Sequence, residues 1–254
     1  MFKATLQDVS VIRDSLDAVS SLITEGTFEV SKDGMKLVAM DSASVAMVVF
    51  KILPTAFLEY SCKEDSKMTV SVTNLVSIIK RARANDHVTL ALEDNKLRIT
   101  MKGDFTRNFL LPLIESSATM QKVPELNFKA KVTMLAGALK DGIKDAQMIS
   151  DCVIFEAEPL SFIIRSHGDT SETKMELTKD SPSLSSLHIS EALEAGHKMK
   201  AKYSIDYIDK MLKASKNVDH MTLQFASDYP MRLDYTVVDK LQLSFILAPR
   251  VDTD

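Results

Sequence analysis

Residues 71–90 read SVTNLVSIIKRARANDHVTL and residues 204–223 read SIDYIDKMLKASKNVDHMTL, so the second stretch restates the first at an offset of 133. Ser71/Ser204, Lys80/Lys213, Asp86/Asp219, His87/His220, Thr89/Thr222 and Leu90/Leu223 are identities. Val72/Ile205, Leu75/Ile208, Ile79/Leu212 and Arg83/Lys216 change only within a chemical type. Chance seldom preserves identity and patterning together. Apolar residues at i, i+3, i+4 and i+7 predict helices over Val72 to Arg83 and Ser204 to Lys216. Earlier in the chain, Phe2-Lys3-Ala4 recurs as Phe128-Lys129-Ala130 at an offset of 126. The growth in offset requires an insertion in the second half, and the polar, Pro-bearing stretch Lys179 to Ser186 is the expected place. Two copies of one unit, not a solenoid, is the economical reading.

The rest of the chain fits the same scheme. Helical periodicity extends over Asp8 to Thr24 and Thr133 to Ala146. Alternating runs predict strands at Thr27 to Val30, Lys36 to Ala39, Val45 to Lys51, His87 to Leu92, Lys96 to Met101, Cys152 to Ala157, Lys174 to Leu177 and Leu241 to Leu247. Glu115-Ser116-Ser117-Ala118-Thr119 has neither period and reads as a connector. The expected organisation is an N-terminal domain over 1–114, a connector over 115–126 and a C-terminal domain over 127–254. The fold class is α+β: two similar domains, each with two helices packed on antiparallel sheets.

Composition narrows the functional classes. A chain of 254 residues, 45% hydrophobic and 26% charged, can bury two cores of about 125 residues each. No apolar run approaches a membrane span, and Met1 to Asp8 lack the features of a secretory signal, so the chain is expected inside the cell. Cys62 and Cys152 lie far apart with no CxxC neighbour, which argues against disulfides and structural zinc. The seven glycines never cluster, so no phosphate-cradling Gly-rich loop exists and no nucleotide cofactor is expected. A formal charge of -4 gives no overall attraction to polyanions. Any nucleic-acid contact must come from a local basic surface.

Such a surface is written into the helices. Opposite the apolar face of Val72 to Arg83 stand Ser77, Lys80 and Arg83; the repeat places Lys210, Lys213 and Lys216 at those positions. Lys140 and Lys144 lie at i, i+4 on the third helix, and Arg13 lies on the first. An ordinary solvated helix face explains one such strip, but recurrence at equivalent repeat positions in an acidic chain points to phosphate contact without base reading. Asp8, Asp14, Asp17, Asp141 and Asp145 temper the basicity. Gly137 and Gly142 each cost about 1 kcal/mol relative to Ala in a helix, so a close neighbour is expected there. Asp86-His87, Asp219-His220 and His167-Gly168-Asp169 offer a rival hydrolase or metal reading. The first two are equivalent sites of the repeat, where Asp serves as a turn residue, and no nucleophile adjoins them. A stoichiometric, tight divalent metal would revive that rival.

Three further motifs carry a resemblance over essentially the whole chain: Gly34-Met35-Lys36-Leu37-Val38-Ala39-Met40-Asp41-Ser42-Ala43-Ser44-Val45, Asp228-Tyr229-Pro230, and the close Phe245-Ile246-Leu247-Ala248-Pro249-Arg250-Val251. Together they resemble the DNA sliding clamps of the proliferating cell nuclear antigen family. The Leu-Ala-Pro-Arg ending and Leu111-Pro112-Leu113-Ile114 are more similar to archaeal members. The resemblance implies no enzyme and no cofactor, but a processivity factor built as a homotrimeric ring around double-stranded DNA, with the helices lining the hole. It implies residence with the DNA, in the cytoplasm if archaeal or the nucleus if eukaryotic.

Three sets of residues follow from that family. The DNA-facing set is Arg13, Lys80, Arg83, Lys140, Lys144, Lys210, Lys213 and Lys216. A partner-peptide pocket maps to Met40, Ser44, Val45, Val123, Pro124, Ser204, Pro230, Ile246, Ala248, Pro249 and Val251. It would serve DNA polymerase, clamp loader, flap nuclease and DNA ligase. Ser44 and Ile246 depart from the ring-bearing residues often found at those positions, and Ser116 from an apolar one. The subunit joint maps to Asp104 to Leu111 against Ser171 to Leu177, with Phe109, Leu111, Thr173, Met175 and Leu177 at its centre. Arg81, Arg83 and Arg107 are candidates to pair there with Asp141 or Asp145. A clamp-like checkpoint or heterotrimeric subunit is the alternative within the family, separated by the mass of the purified chain.

Overall fold

The computed structural model describes residues 2–6, 8–115, 121–190 and 198–251. The chain divides into two compact units, Met1–Val123 with Thr236–Leu243, and Pro124–Tyr235 with Ser244–Asp254. Chain order in the first is β1 (Phe2–Leu6), α1 (Ser10–Ser20), β2 (Glu25–Ser31), β3 (Gly34–Met40), β4 (Ala46–Ile52), β5 (Glu59–Cys62), β6 (Ser66–Ser71), α2 (Val72–Ile79), β7 (His87–Glu93), β8 (Lys96–Lys102) and β9 (Thr106–Pro112). The order then repeats as β10 (Ala130–Leu135), α3 (Ala136–Gln147), β11 (Cys152–Glu158), β12 (Ser161–His167), β13 (Glu172–Thr178), β14 (Leu184–Ile189), β15 (Met199–Ser204), α4 (Ile205–Leu212), β16 (His220–Phe225), β17 (Met231–Val237) and β18 (Leu241–Leu247). Sheet orders run β5-β1-β7-β8-β9 and β4-β3-β2-β6 in the first unit, β14-β10-β16-β17 and β13-β12-β11-β15 in the second.

Each unit buries the apolar stripe of its helices. In α2 the buried residues are Val72, Leu75, Val76 and Ile79; in α4 they are Ile205, Ile208, Met211 and Leu212. Full burial of such side chains contributes roughly 1.5–3 kcal/mol each, and truncating Ile208 to Ala would cost about 2–5 kcal/mol. Aromatic rings fill the second core, where Phe155 lies 5.6 Å from both Phe162 and Tyr203 and 6.3 Å from Phe225. The hydroxyl of fully buried Tyr235 donates to the Met211 carbonyl at 3.1 Å and so ties down the end of α4.

The repeat is visible as matched strand chemistry. Thr5 and Thr89 share a hydroxyl hydrogen bond of 3.0 Å between β1 and β7, and Thr133 and Thr222 share one of 3.2 Å between β10 and β16. Register also corrects the opening match. Leu90 pairs with Ala4, while its counterpart Leu223 pairs with Val132, so Val132 and not Ala130 is the repeat of Ala4. The insertion lies elsewhere than expected too. Segments 53–58 and 179–183 are of similar length, whereas 63–65 between β5 and β6 becomes 190–198 between β14 and β15. Residues 191–197 of that stretch, like 116–120 of the expected connector with Ser116, lie outside the described residues.

All four helices are shorter than periodicity predicts. Asp8 is not in α1; its carboxylate accepts from Ser10 N at 2.9 Å just before the helix, and hydrogen bonding from Ser10, by its side chain first and its backbone second, lowers the Asp8 pKa. Helix α2 stops at Ile79, its last amides closing i→i−3 bonds at Arg81 and Ala82. The stretch Ala130–Leu135 is strand, because Val132 and Met134 alternate into the core and Thr133 bonds across the sheet. In the second unit a 3-10 turn, Lys213–Asn217, completes what was expected as one α-helix. The two helical glycines differ. A Cβ on Gly142 would meet Ile164 Cδ1 at 2.7 Å and Met175 Sδ at 2.9 Å, so strand side chains fill that space, while Gly137 faces nothing within 4 Å.

Candidate nucleic-acid interface and partner site

With their apolar stripes buried, the helices leave their cationic residues in solvent. Lys80, Lys140, Lys144, Lys213 and Lys216 are exposed, and Arg13 and Lys210 are half-buried. Ile12, Leu16 and Val19 of α1 occupy the same buried positions as Leu139, Ile143 and Ala146 of α3, which aligns Arg13 with Lys140, Asp14 with Asp141 and Asp17 with Lys144. The consequence is electrostatic. Lys80 Nζ reaches Asp17 Oδ1 across the α1–α2 pair at 2.7 Å, but a lysine stands at Asp17's place in the second unit. There, Lys144 sits a loose 3.9 Å from Asp141, and Lys210 pairs along its own helix with Asp206 at 2.7 Å. Arg13 pairs with Asp14 at 3.1 Å. The exposed lysine pairs contribute under about 1 kcal/mol each, so a phosphate backbone can compete for those lysines, while Asp14 of the Arg13 pair is buried.

Arg83 departs from the expected strip. It lies beyond α2, and its guanidinium sits 4.8 Å from the centroid of the half-exposed Phe105 ring, with Arg107 at 5.5 Å. Arg107 donates to Asp86 and, at 3.0 Å, to the Arg81 carbonyl, while Asp86 accepts from Arg83 N at 2.7 Å. Arg107 is thus engaged inside its own unit. Arg81, Asp141 and Asp145 are exposed.

The pocket residues divide between the two units and are held by backbone devices in each. In the first, the loop after Met40 carries exposed Ser44, whose φ is 57°, and half-buried Val45. In the second, Tyr203 OH donates to Tyr229 O at 2.7 Å, beside the Asp228-Tyr229-Pro230 turn, and burial pushes the Tyr203 pKa far up. Arg250 N donates to Lys202 O at 2.7 Å, and its guanidinium reaches Asp151 at 2.8 Å. Hydrogen bonding from Cys152 first, then from Arg250, lowers the Asp151 pKa. Arg250 and Val251 line a cavity of about 480 Å³ together with Ser150, Asp151, Cys152, Ile154, His167 and Lys202. Pro230, Ala248 and Pro249 are half-buried, Val123 and Pro124 exposed, and Ser204 and Ile246 buried.

Two open sheet edges complete the candidate surfaces. Strands β9 and β13 end their sheets and share one burial pattern, with Arg107, Phe109 and Leu111 turned inward on β9 and Thr173, Met175 and Leu177 on β13. Leu111 and Leu177 are core residues, each 4% exposed. The Asp/His pairs assemble no site. Asp86 is buried against Arg107 while His87 is exposed, Asp219 and His220 are both exposed, and His167 pairs with Glu172 at 3.3 Å. Among the described residues no group of three potential metal ligands forms, and no helix is long and apolar enough to cross a membrane.

Sequence reasoning took Asp17 only as an acid that tempers its helix and missed Tyr203 and Asp151; all three bond across elements and leave no local pattern. Asp41 had a signal, since an Asp opening a Ser/Ala loop is a turn-forming composition. Comparison with known proteins gives these surfaces a family. Residues 1–110 match the N-terminal domain of proliferating cell nuclear antigen and residues 122–250 match its C-terminal domain. The DNA polymerase sliding clamp of Nanoarchaeum equitans is 37% identical, over 98% of this chain and 100% of that protein. The sliding clamp of Pyrococcus furiosus is 33% identical over 99% of each. A crystal structure of the nuclear antigen from Thermococcus kodakaraensis superposes with a TM-score of 0.92 at 27% identity, covering 98% of this chain and 100% of that one. With both domain types in order and relatives matched end to end, the chain belongs to the proliferating cell nuclear antigen family.

Proposed function

We propose that the protein is a DNA sliding clamp, a processivity factor in which three copies close a ring around duplex DNA and hold a polymerase at its template. The observation that carries this is the recurrence of exposed cationic helix faces in both repeats of a chain that is anionic overall. Family membership supplies the rest. Lysines on flexible stems attract phosphates without reading bases, so no deep well halts movement along the duplex. Topology, not tight binding, keeps the ring on DNA.

In this reading β9 of one copy adds its open edge to β13 of the next, each strand supplying unpaired N–H and C=O groups. Phe109 and Met175, half-buried in the isolated chain, become covered at the joint. Arg81 and Arg83 face Asp141 and Asp145, while Arg107 stays with Asp86 and supports the joint from behind. Clamp loader, flap nuclease, DNA ligase and polymerase dock through short peptides with an aliphatic anchor and aromatic residues, which engage Met40 and Val45 of the first unit and Pro230 and Pro249 of the second. The acidity of α1 weighs little toward a specialised heterotrimer subunit, because Asp17 is already matched by Lys80.

Light scattering of the purified chain together with a primer-extension assay tests this. A mass of three chains and longer polymerase products at moderate salt are expected. A stable monomer that leaves product length unchanged would overturn the proposal in favour of a heterotrimer subunit or another duty.

A further inference from the structure

The loop that joins β3 to β4 is built on one carboxylate. Asp41 is 8% exposed, and its Oδ1 accepts from both Val45 N and Ala46 N at 2.8 Å while Oδ2 accepts from Ala43 N at 3.2 Å. The backbone closes round it, with Asp41 N donating to Ala46 O at 2.8 Å and Ser44 N donating to Asp41 O at 3.1 Å. This cradle holds Ser44 at φ 57°, a left-handed conformation that costs a non-glycine residue about 1–2 kcal/mol. Ser42, Ala43 and Ser44 are exposed and Val45 half-buried, so their own packing does not hold them. The geometry points to Asp41 as the positioning residue for peptide capture: it keeps Ser44 and Val45 in the shape that a docking peptide meets.

This rests on the peptide-pocket reading above and adds a cause. A wall that adopts its competent shape only part of the time weakens binding in proportion to that fraction. Charge-assisted bonds from three amides to one ion keep the fraction near one. Asparagine preserves the size of the side chain but turns an N–H₂ toward the Ala43 amide, so it can accept on one atom only.

The test uses the assembled clamp and a fluorescent synthetic peptide with an aliphatic anchor and aromatic residues, measured by anisotropy. Variants are Asp41→Ala, Asp41→Asn and Ser44→Gly, the last alone and combined with each of the others. Asp41→Ala is expected to weaken the peptide about tenfold and Asp41→Asn about threefold, as the unpaired amides release the loop. Hydrogen exchange at Val45 and Ala46 should accelerate in step. Ser44→Gly, free of the left-handed penalty, should restore most of the lost affinity in the Asp41→Asn background. A residue that only stabilised the fold would show neither that local exchange nor that rescue. Parent-like affinity in Asp41→Ala despite faster exchange overturns the proposal, as does a loss that Ser44→Gly leaves unrepaired. Failure of the parent to bind the peptide instead contradicts the pocket reading itself, so the two failures are told apart.

Discussion

Asp86 and Asp219 are the same residue of the repeat, each followed by an exposed histidine and a strand, and they do different work. In the first unit Asp86 is 4% exposed and joins Arg107 on β9 to the end of α2. In the second, Asp219 is exposed and contributes its backbone carbonyl, which accepts from Ala136 N at 2.8 Å. The helix faces differ in the same sense, since Lys80 is answered by Asp17 while the equivalent of Asp17 is Lys144. Duplication preserved the frame, and charge was then reassigned locally. At these two places the first unit sets charge against charge across elements, where the second leaves Asp219 exposed and Lys144 only loosely paired along its own helix.

That contrast predicts unequal outcomes for equal substitutions. Asp86→Ala should destabilise by about 3 kcal/mol in urea unfolding, because Arg107 is left largely buried without its partner, whereas Asp219→Ala should cost under about 0.5 kcal/mol. Similar costs at the two positions would contradict the division of labour. Lys144→Glu with Lys213→Glu should reduce stimulation of primer extension about tenfold at moderate salt and flatten the salt dependence of DNA association by roughly two phosphate contacts. Lys80→Glu alone should change stimulation by less than about threefold, since much of that charge is already met by Asp17. A larger effect from Lys80 would place the working surface on the first unit.

Much of this was legible in the chain. The 133-residue offset points to two copies of one unit, and seven of the eight alternating runs fall within observed strands, the eighth starting one residue early at Val45, which belongs to the loop before β4. Helix ends were not legible, because what stops α2 and starts α3 is long-range: Asp86 meets a residue on β9, and Thr133 meets Thr222 across a sheet. Periodicity sees only the apolar stripe. Likewise Arg83 reads as a helix-face cation by spacing, yet Phe105, far along the chain, takes its guanidinium. Glycine in α3 was read as a sign of close approach, which holds at Gly142 and not at Gly137.

Smaller effects sharpen the contrast further. Gly137→Ala should stabilise by about 0.5–1 kcal/mol in thermal unfolding, while Gly142→Ala should give no gain, because its methyl must displace Ile164 and Met175. Equal gains would mean that α3 does not seat closely on β12 and β13. The smallest effect concerns the Arg250 latch. A carboxylate whose folded pKa lies below its ordinary value adds stability above the unfolded pKa and loses it as pH falls through the folded one. The Asp151 latch is therefore complete at neutral pH and through mild acid and releases only below the usual carboxylate range. Peptide affinity should stay flat from about pH 8 to pH 5, and Asp151→Asn should lower it less than about threefold by anisotropy.

Retention on DNA of different topology tests the sliding-clamp reading most directly. The chain, loaded onto a nicked circular plasmid and passed through a sizing column at moderate salt, should travel with the DNA and be lost once one restriction cut makes the plasmid linear. Equal retention on circular and linear DNA, falling only as salt rises, would mean that the lysines grip the duplex from outside and that no ring surrounds it.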